Sequence, residues 1–176
     1  MNTKSKRVRI ASAAGFAVSL MASLSFAAPP VNDRCSGATD LGSYRGSRAF
    51  DNSLASTGPE GQTADCDYGT PGIRHDIWFR WTAPCTGTAA FSTIGTEEGQ
   101  DTKIAIYEGG GCLGSLLACN DDGDDDVDFW GSYISLPVVA GSVYMIQVGQ
   151  SPDAEALTLD PDVLVISCDA YAANDH

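Results

Sequence analysis

Beyond residue 27 no window of the chain carries apolar residues at helical spacing for three turns, and Gly, Pro, Asn or Asp interrupts about every twelve residues. That pattern excludes long helices and leaves short β-runs between turn signals. The run 76–84, DIWFRWTAP, alternates Ile77, Phe79 and Trp81 on one face with Trp78, Arg80 and Thr82 on the other. Runs 87–95 and 101–109 follow, the second setting Ile104 and Ile106 against Ala105 and Tyr107. Runs 129–141 and 142–150 read as a strand pair joined by a turn at Gly141, and 162–168 is the last apolar run. Several short strands at this spacing predict an all-β fold, an antiparallel β-sandwich of jelly-roll-like type. The segment 52–75 is polar and rich in Gly and Pro, a long loop with Cys66 to pin it.

The first 27 residues stand apart. Lys4, Lys6, Arg7 and Arg9 precede an apolar run from Ile10 to Leu24 that closes on Ser25-Phe26-Ala27, a pattern that predicts a cleaved signal peptide over 1–27. The apolar run is short for a membrane span. The expected organisation is a signal peptide (1–27), one sandwich domain (28–168) and a flexible tail (169–176). The expected location is secreted: periplasm, cell surface or medium.

Removing the leader leaves 10 − 4 = 6 Lys and Arg against 23 Asp and Glu, a net charge of −17. Such a field repels a phosphate backbone or an anionic bilayer, so neither nucleic acid nor membrane insertion is expected. It favours calcium, a cationic surface or plain solubility.

All six cysteines, Cys35, Cys66, Cys85, Cys112, Cys119 and Cys168, lie after the leader. An even count in an exported chain predicts disulfides, with the connectivity open among fifteen. Zinc fits poorly, because there is no CxxC pair and only His75 and His176 add nitrogen ligands.

Residues 120–128, NDDGDDDVD, place six aspartates and an asparagine in nine positions. Held together, exposed carboxylates repel by about 1 kcal/mol per pair. An EF-hand register fails, since Gly123 at its sixth position puts Ala118 first and Phe129 last. Two readings remain: a solvated acidic loop, or a calcium site assembled from this loop and other segments. Calcium accepts six to eight oxygens in irregular geometry, and Gly123 permits a sharp bend. A disulfide between Cys112 and Cys119, if formed, would stiffen the chain just before Asn120.

Four segments together resemble the bacterial pre-peptidase C-terminal-like domain: VNDRCSGATDLG (31–42), DIWFRWTAPCTGTAAFST (76–93), QDTKIAIYEGGGCLGSLLACNDD (100–122) and VVAGSVYMIQVGQ (138–150). The resemblance covers about residues 31–150. It implies a secreted antiparallel sandwich without catalytic activity, in which calcium can stiffen the N-terminal lead-in. Carried over residue by residue, it implies Asn32, Asp33, Asp101, Asn120, Asp121 and Asp122 as ligands. Asp124 and Asp126 are added from the acidic run alone. After the resemblance, the pairings expected are Cys112–Cys119, Cys35–Cys66 and Cys85–Cys168. The segment EALTLDPDVLVISC departs from the family's short final strand.

The function expected is a secreted, non-catalytic module, calcium-stabilised, acting in binding or adhesion toward an extracellular protein or polysaccharide. The alternative is a carbohydrate-binding module using exposed aromatics, Trp130 and Tyr133 foremost, since Trp78 and Trp81 sit in an apolar strand. A hydrolase is disfavoured: only His75 can serve as a base, and neither a nucleophile elbow nor a His-Glu-x-x-His pair is present.

Overall fold

The computed structural model describes residues 27–62, 64, 66, 70–94, 101–112, 114–123, 130–154 and 162–172. Residues 1–26 of the segment expected as a signal peptide, residues 124–128 of the acidic run and residues 173–176 lie outside the described residues.

After a single turn of 3-10 helix (Cys35–Gly37), nine strands are described. They are β1 (Thr39–Gly42), β2 (Gly46–Phe50), β3 (Arg74–Thr82), β4 (Gly87–Ser92), β5 (Thr102–Glu108), β6 (Leu116–Asn120), β7 (Tyr133–Val138), β8 (Val143–Gln150) and β9 (Asp162–Ala170). They form two sheets, β1-β3-β8-β5-β6 and β2-β9-β4-β7, which face each other as a β-sandwich. Every ladder is antiparallel except β1–β3. Among the described residues no helix is long and apolar enough to cross a membrane.

The alternation read in the sequence decides which side chains meet. Ile77, Phe79 and Trp81 of β3, Ile104 and Ile106 of β5 and Ile146 and Val148 of β8 join Ala89, Phe91, Ile134, Leu136, Leu164 and Ile166 of the second sheet in the main core. Fully burying such side chains contributes about 1.5–3 kcal/mol each. Trp81 stands edge-on to Phe91 at 5.2 Å between ring centroids.

β5 and β8 are buried on both faces, because a second, smaller core lies outside the five-stranded sheet. There the lead-in and the strap 51–73 cover Trp78, Ala105, Tyr107 and Met145. The strap is fixed by polar groups. Gly58 N–H donates to Asp76 Oδ1 (3.2 Å), Gln147 Nε2 to the Glu60 carbonyl (3.3 Å) and Lys103 Nζ to the Thr70 carbonyl (3.0 Å). Gly61, at φ 71°, lies so close that a Cβ there would sit 2.0 Å from Gln147 Oε1.

Two expectations are corrected here. β7 and β8 are not a hairpin: β7 pairs with β4 and β8 with β3 and β5, so the Gly141 turn (φ 81°) carries the chain from one sheet to the other. The burial patterns agree, since β7 alternates and shows one face to solvent while β8 is enclosed. The disulfides are Cys35–Cys112, Cys66–Cys119 and Cys85–Cys168, so only the last pairing matches. Cys112–Cys119 is precluded because residues 116–119 run extended along β5 and carry Cys119 away from the loop that holds Cys112. Cys35 and Cys66 instead each tie a separate covering segment to the β5–β6 hairpin.

Candidate functional site

β5 and β6 place Ile104 opposite Asn120, so Asp121 leaves the ladder beside Lys103 on the outer face of the five-stranded sheet. Lys103 is wholly buried. Its ammonium lies 3.4 Å from Asp121 Oδ2, which also accepts the Ser151 hydroxyl at 3.3 Å. Asp121 Oδ1 is buried without a hydrogen-bond partner. The base of the acidic loop is clasped by Ser132, whose hydroxyl faces the Thr102 and Asp121 carbonyls at 2.7 and 3.0 Å.

Asp101 precedes β5 at the same corner. Burial and then the negative charges of Asp121, Asp122 and Asp153 push its carboxyl up to about 6. Asp121 is also raised, by burial, against the opposing pull of Lys103. Asp153 is held below the usual carboxylate range by the Thr70 hydroxyl and N–H, each 2.7 Å away. With all four carboxylates ionised, the corner carries 1 − 4 = −3 around Lys103.

The other residues expected as ligands are employed differently. Asn32 brackets Trp78, its Nδ2 donating to the Trp78 carbonyl (3.2 Å) and its own carbonyl accepting the Trp78 N–H (2.9 Å). Asp33 accepts the N–H and hydroxyl of Ser56 and anchors the strap. Asn120 Oδ1 accepts the Tyr133 N–H at 2.8 Å, linking β6 to β7. β3 and β6 are three strand positions apart, about 14 Å, so the structure does not bring Asn32 and Asp33 to the aspartate corner. Asp101, Asp121 and Asp122 do share it, while Asp124 and Asp126 lie outside the described residues. The oxygen donors suit a hard cation. Among the described residues, however, no three His, Cys, Asp or Glu side chains converge as a finished metal site.

Lys103, Asp153 and Ser151 were not read as part of this corner. The signal for Lys103 is its outer-face position in β5, alternating with Ala105 and Tyr107 next to an acidic loop. Asp153 and Ser151 carry no such signal, since their approach depends on the turn after β8.

Trp130 and Tyr133 are 51% and 45% exposed at the start of β7, where the Trp130 carbonyl accepts the Thr102 N–H (2.8 Å). Trp78 and Trp81 are buried and engaged, with Trp78 Nε1 on Asp76 (2.9 Å) and Trp81 Nε1 on the Tyr44 carbonyl (2.8 Å). His75 has a positive φ of 49°, and its Nδ1 lies 2.7 Å from the Ala55 carbonyl.

Neither a protein-family model nor a curated protein sequence matches the chain. Among solved structures it is similar to the surface-associated copper-binding protein CorA of Methylomicrobium album BG8, at 10% identity and TM-score 0.47 over 75% of this chain and 98% of that one. It is also similar to the pre-peptidase C-terminal domain of a Bacillus anthracis collagenase, at 8% identity and TM-score 0.43 over 75% and 94%. A third is PliG, a periplasmic inhibitor of g-type lysozyme from Aeromonas hydrophila, at 16% identity and TM-score 0.42 over 74% and 96%. The second of these carries the domain type that the sequence motifs resemble.

Proposed function

We propose that the chain is an exported, non-catalytic binding module whose aspartate corner takes up calcium. The observation that carries the calcium reading is Asp121 Oδ1, a buried carboxylate oxygen without a partner, beside Asp101 and Asp122 in a corner with one cation for four acids. A divalent ion offsets that surplus charge. Export is supported by the leader pattern and by six cysteines that all pair, which an oxidising compartment sustains. The non-catalytic reading is supported by the sequence, which carries neither a nucleophile elbow nor a His-Glu-x-x-His pair.

The test is a thermal melt of the oxidised protein in millimolar calcium and in excess chelator. At a hundred times its dissociation constant, a ligand of the folded state stabilises by about 2.7 kcal/mol, a shift of several degrees. The shift is expected in the native chain and lost in Asp121→Ala/Asp122→Ala. Equal melts in calcium and chelator sink the metal reading.

The half-exposed Trp130 and Tyr133 favour a second reading, a polysaccharide-binding surface at the start of β7. Retention on an insoluble neutral polysaccharide, abolished by Trp130→Ala/Tyr133→Ala at unchanged melting temperature, supports it. Retention that survives the double substitution removes it.

A further inference from the structure

At the edge of the sandwich opposite the aspartate corner, β1 and β2 part and leave a cavity of about 120 Å³ between the sheets. Its walls include Phe50, Ile77 and Phe79 on the apolar side and Thr39, Arg48 and Asp51 on the polar side. Arg48 is in register with Leu164, a core residue, so its side chain leaves β2 toward the interior side of the sheet. Thr39 is in register with Phe79 and faces the same gap.

The other described cations all have acceptors. Arg34 reaches Asp33 and Glu60, Arg80 reaches Asp40, Lys103 reaches Asp121, and Arg45 and Arg74 reach the Cys168 and Ser151 carbonyls. Among the described residues no protein acceptor reaches Arg48, and the Thr39 hydroxyl is likewise left to solvent at the gap. Arg48 is exposed at the mouth of the gap, so its guanidinium is hydrated and open to an anion. Asp51, on the same wall, is turned to Ser53 N–H (2.9 Å) and held ionised by Ser53.

We propose that this gap is a binding site for a small aliphatic carboxylate, the carboxylate on Arg48 and Thr39 and the alkyl group against Phe50, Ile77 and Phe79. Guanidinium–carboxylate contacts are charge-assisted and bidentate. The volume admits about four water-sized groups, which a three- or four-carbon chain fills. The chemistry is shared by a free short-chain acid and by a peptide C-terminus ending in a small aliphatic residue. Asp51 opposes the anion and limits the affinity. An inward-directed charge on an edge strand also deters edge-to-edge pairing. That role needs no ligand, so binding separates the two accounts.

The experiment is amide-resolved NMR of the oxidised chain at pH 7 and constant ionic strength. The probes are butyrate, its neutral isostere butyramide, and the tripeptide Ala-Ala-Val with a free or an amidated C-terminus. Butyrate is expected to give saturable shifts at Thr39, Ala49, Phe50 and Phe79, with a dissociation constant on the order of millimolar. Butyramide is expected to bind about tenfold more weakly, and Arg48→Gln to lose about tenfold for butyrate at unchanged melting temperature. Asp51→Asn is expected to tighten butyrate several-fold. Tighter binding of the free-carboxyl peptide than of butyrate assigns the peptide terminus as the source, and the reverse assigns the free acid. Non-saturable shifts, equal response to butyramide, or full retention in Arg48→Gln overturns the proposal.

Discussion

Lys103 Nζ and Asp121 Oδ2 lie 3.4 Å apart with both side chains withdrawn from solvent. Removing one partner of such a pair leaves a buried charge uncompensated, at a cost of about 3–5 kcal/mol. Lys103→Met is therefore expected to lower the melting temperature in chelator by roughly 10 °C. Lys103→Met/Asp121→Asn is expected to recover most of the loss, because the stranded charge is gone. Circular-dichroism melts of both variants check this, and equal losses would show that the pair is not coupled.

Asp101 gives the corner a pH dependence. Its carboxyl is raised from 3.8 to about 6, first by burial and then by Asp121, Asp122 and Asp153. The folded state thus holds its proton to higher pH than the unfolded chain. Stability from this group is present at low pH and falls as pH rises through about 4 to 6. Asp101→Asn should flatten that fall and stabilise the calcium-free protein at pH 7 by about 1 kcal/mol, after allowance for solvent screening. Urea midpoints between pH 4 and 7 measure it.

The strap depends on Cys66–Cys119. This bridge spans 53 residues and joins the strap to β6. Replacing both cysteines with serine is expected to cost about 2–4 kcal/mol. Amide exchange is expected to accelerate first around Gly61, Ala64 and Trp78, with β4 and β9 unaffected. Uniform acceleration in both sheets would show instead that strap and sandwich unfold as one unit.

Gly61 is the point where strap and sheet meet most closely. Its positive φ and its contact with Gln147 leave no room for a Cβ. Gly61→Ala is expected to destabilise by about 1–3 kcal/mol and to expose Trp78 to fluorescence quenchers. A melt within half a degree of the native chain contradicts this.

The parts of the fold legible in the sequence were those set by side-chain alternation. Ile77, Phe79 and Trp81 share a face of β3 because a strand has a two-residue period, and no tertiary information is needed to see it. The same reading missed β1, β2 and β6, which are short and mostly exposed. Cys85–Cys168 was read correctly, but the other two pairings failed because Cys112 and Cys119 are near in sequence while the extended strand between them separates them in space. Of the calcium ligands implied, Asn32 and Asp33 lie across the sheet from the aspartate corner for a similar reason. Asn120 Oδ1 accepts the Tyr133 N–H and Asn32 Nδ2 donates to the Trp78 carbonyl, contacts between strands that only the tertiary fold reveals. Buried Lys103 shows that the acidic run is balanced partly from inside the sheet, a relation that needs the β5–β6 register.

β2 has its ladder with β9, and the partners Arg48 and Leu164 are 164 − 48 = 116 residues apart. β9 also lies between β2 and β4, so it is the middle of its sheet although it is the last strand described. The early part of the chain must therefore wait, with its edges open, until the late part has been delivered. Such distant pairing makes closure slow. Ending the chain at residue 161 would leave β2 and β4 with nothing between them, so a cooperative loss of the whole sandwich is expected, visible as a lost β signal in circular dichroism. The cell thus receives either a closed molecule or an unfinished one, and the Cys85–Cys168 bridge records when the last strand has arrived.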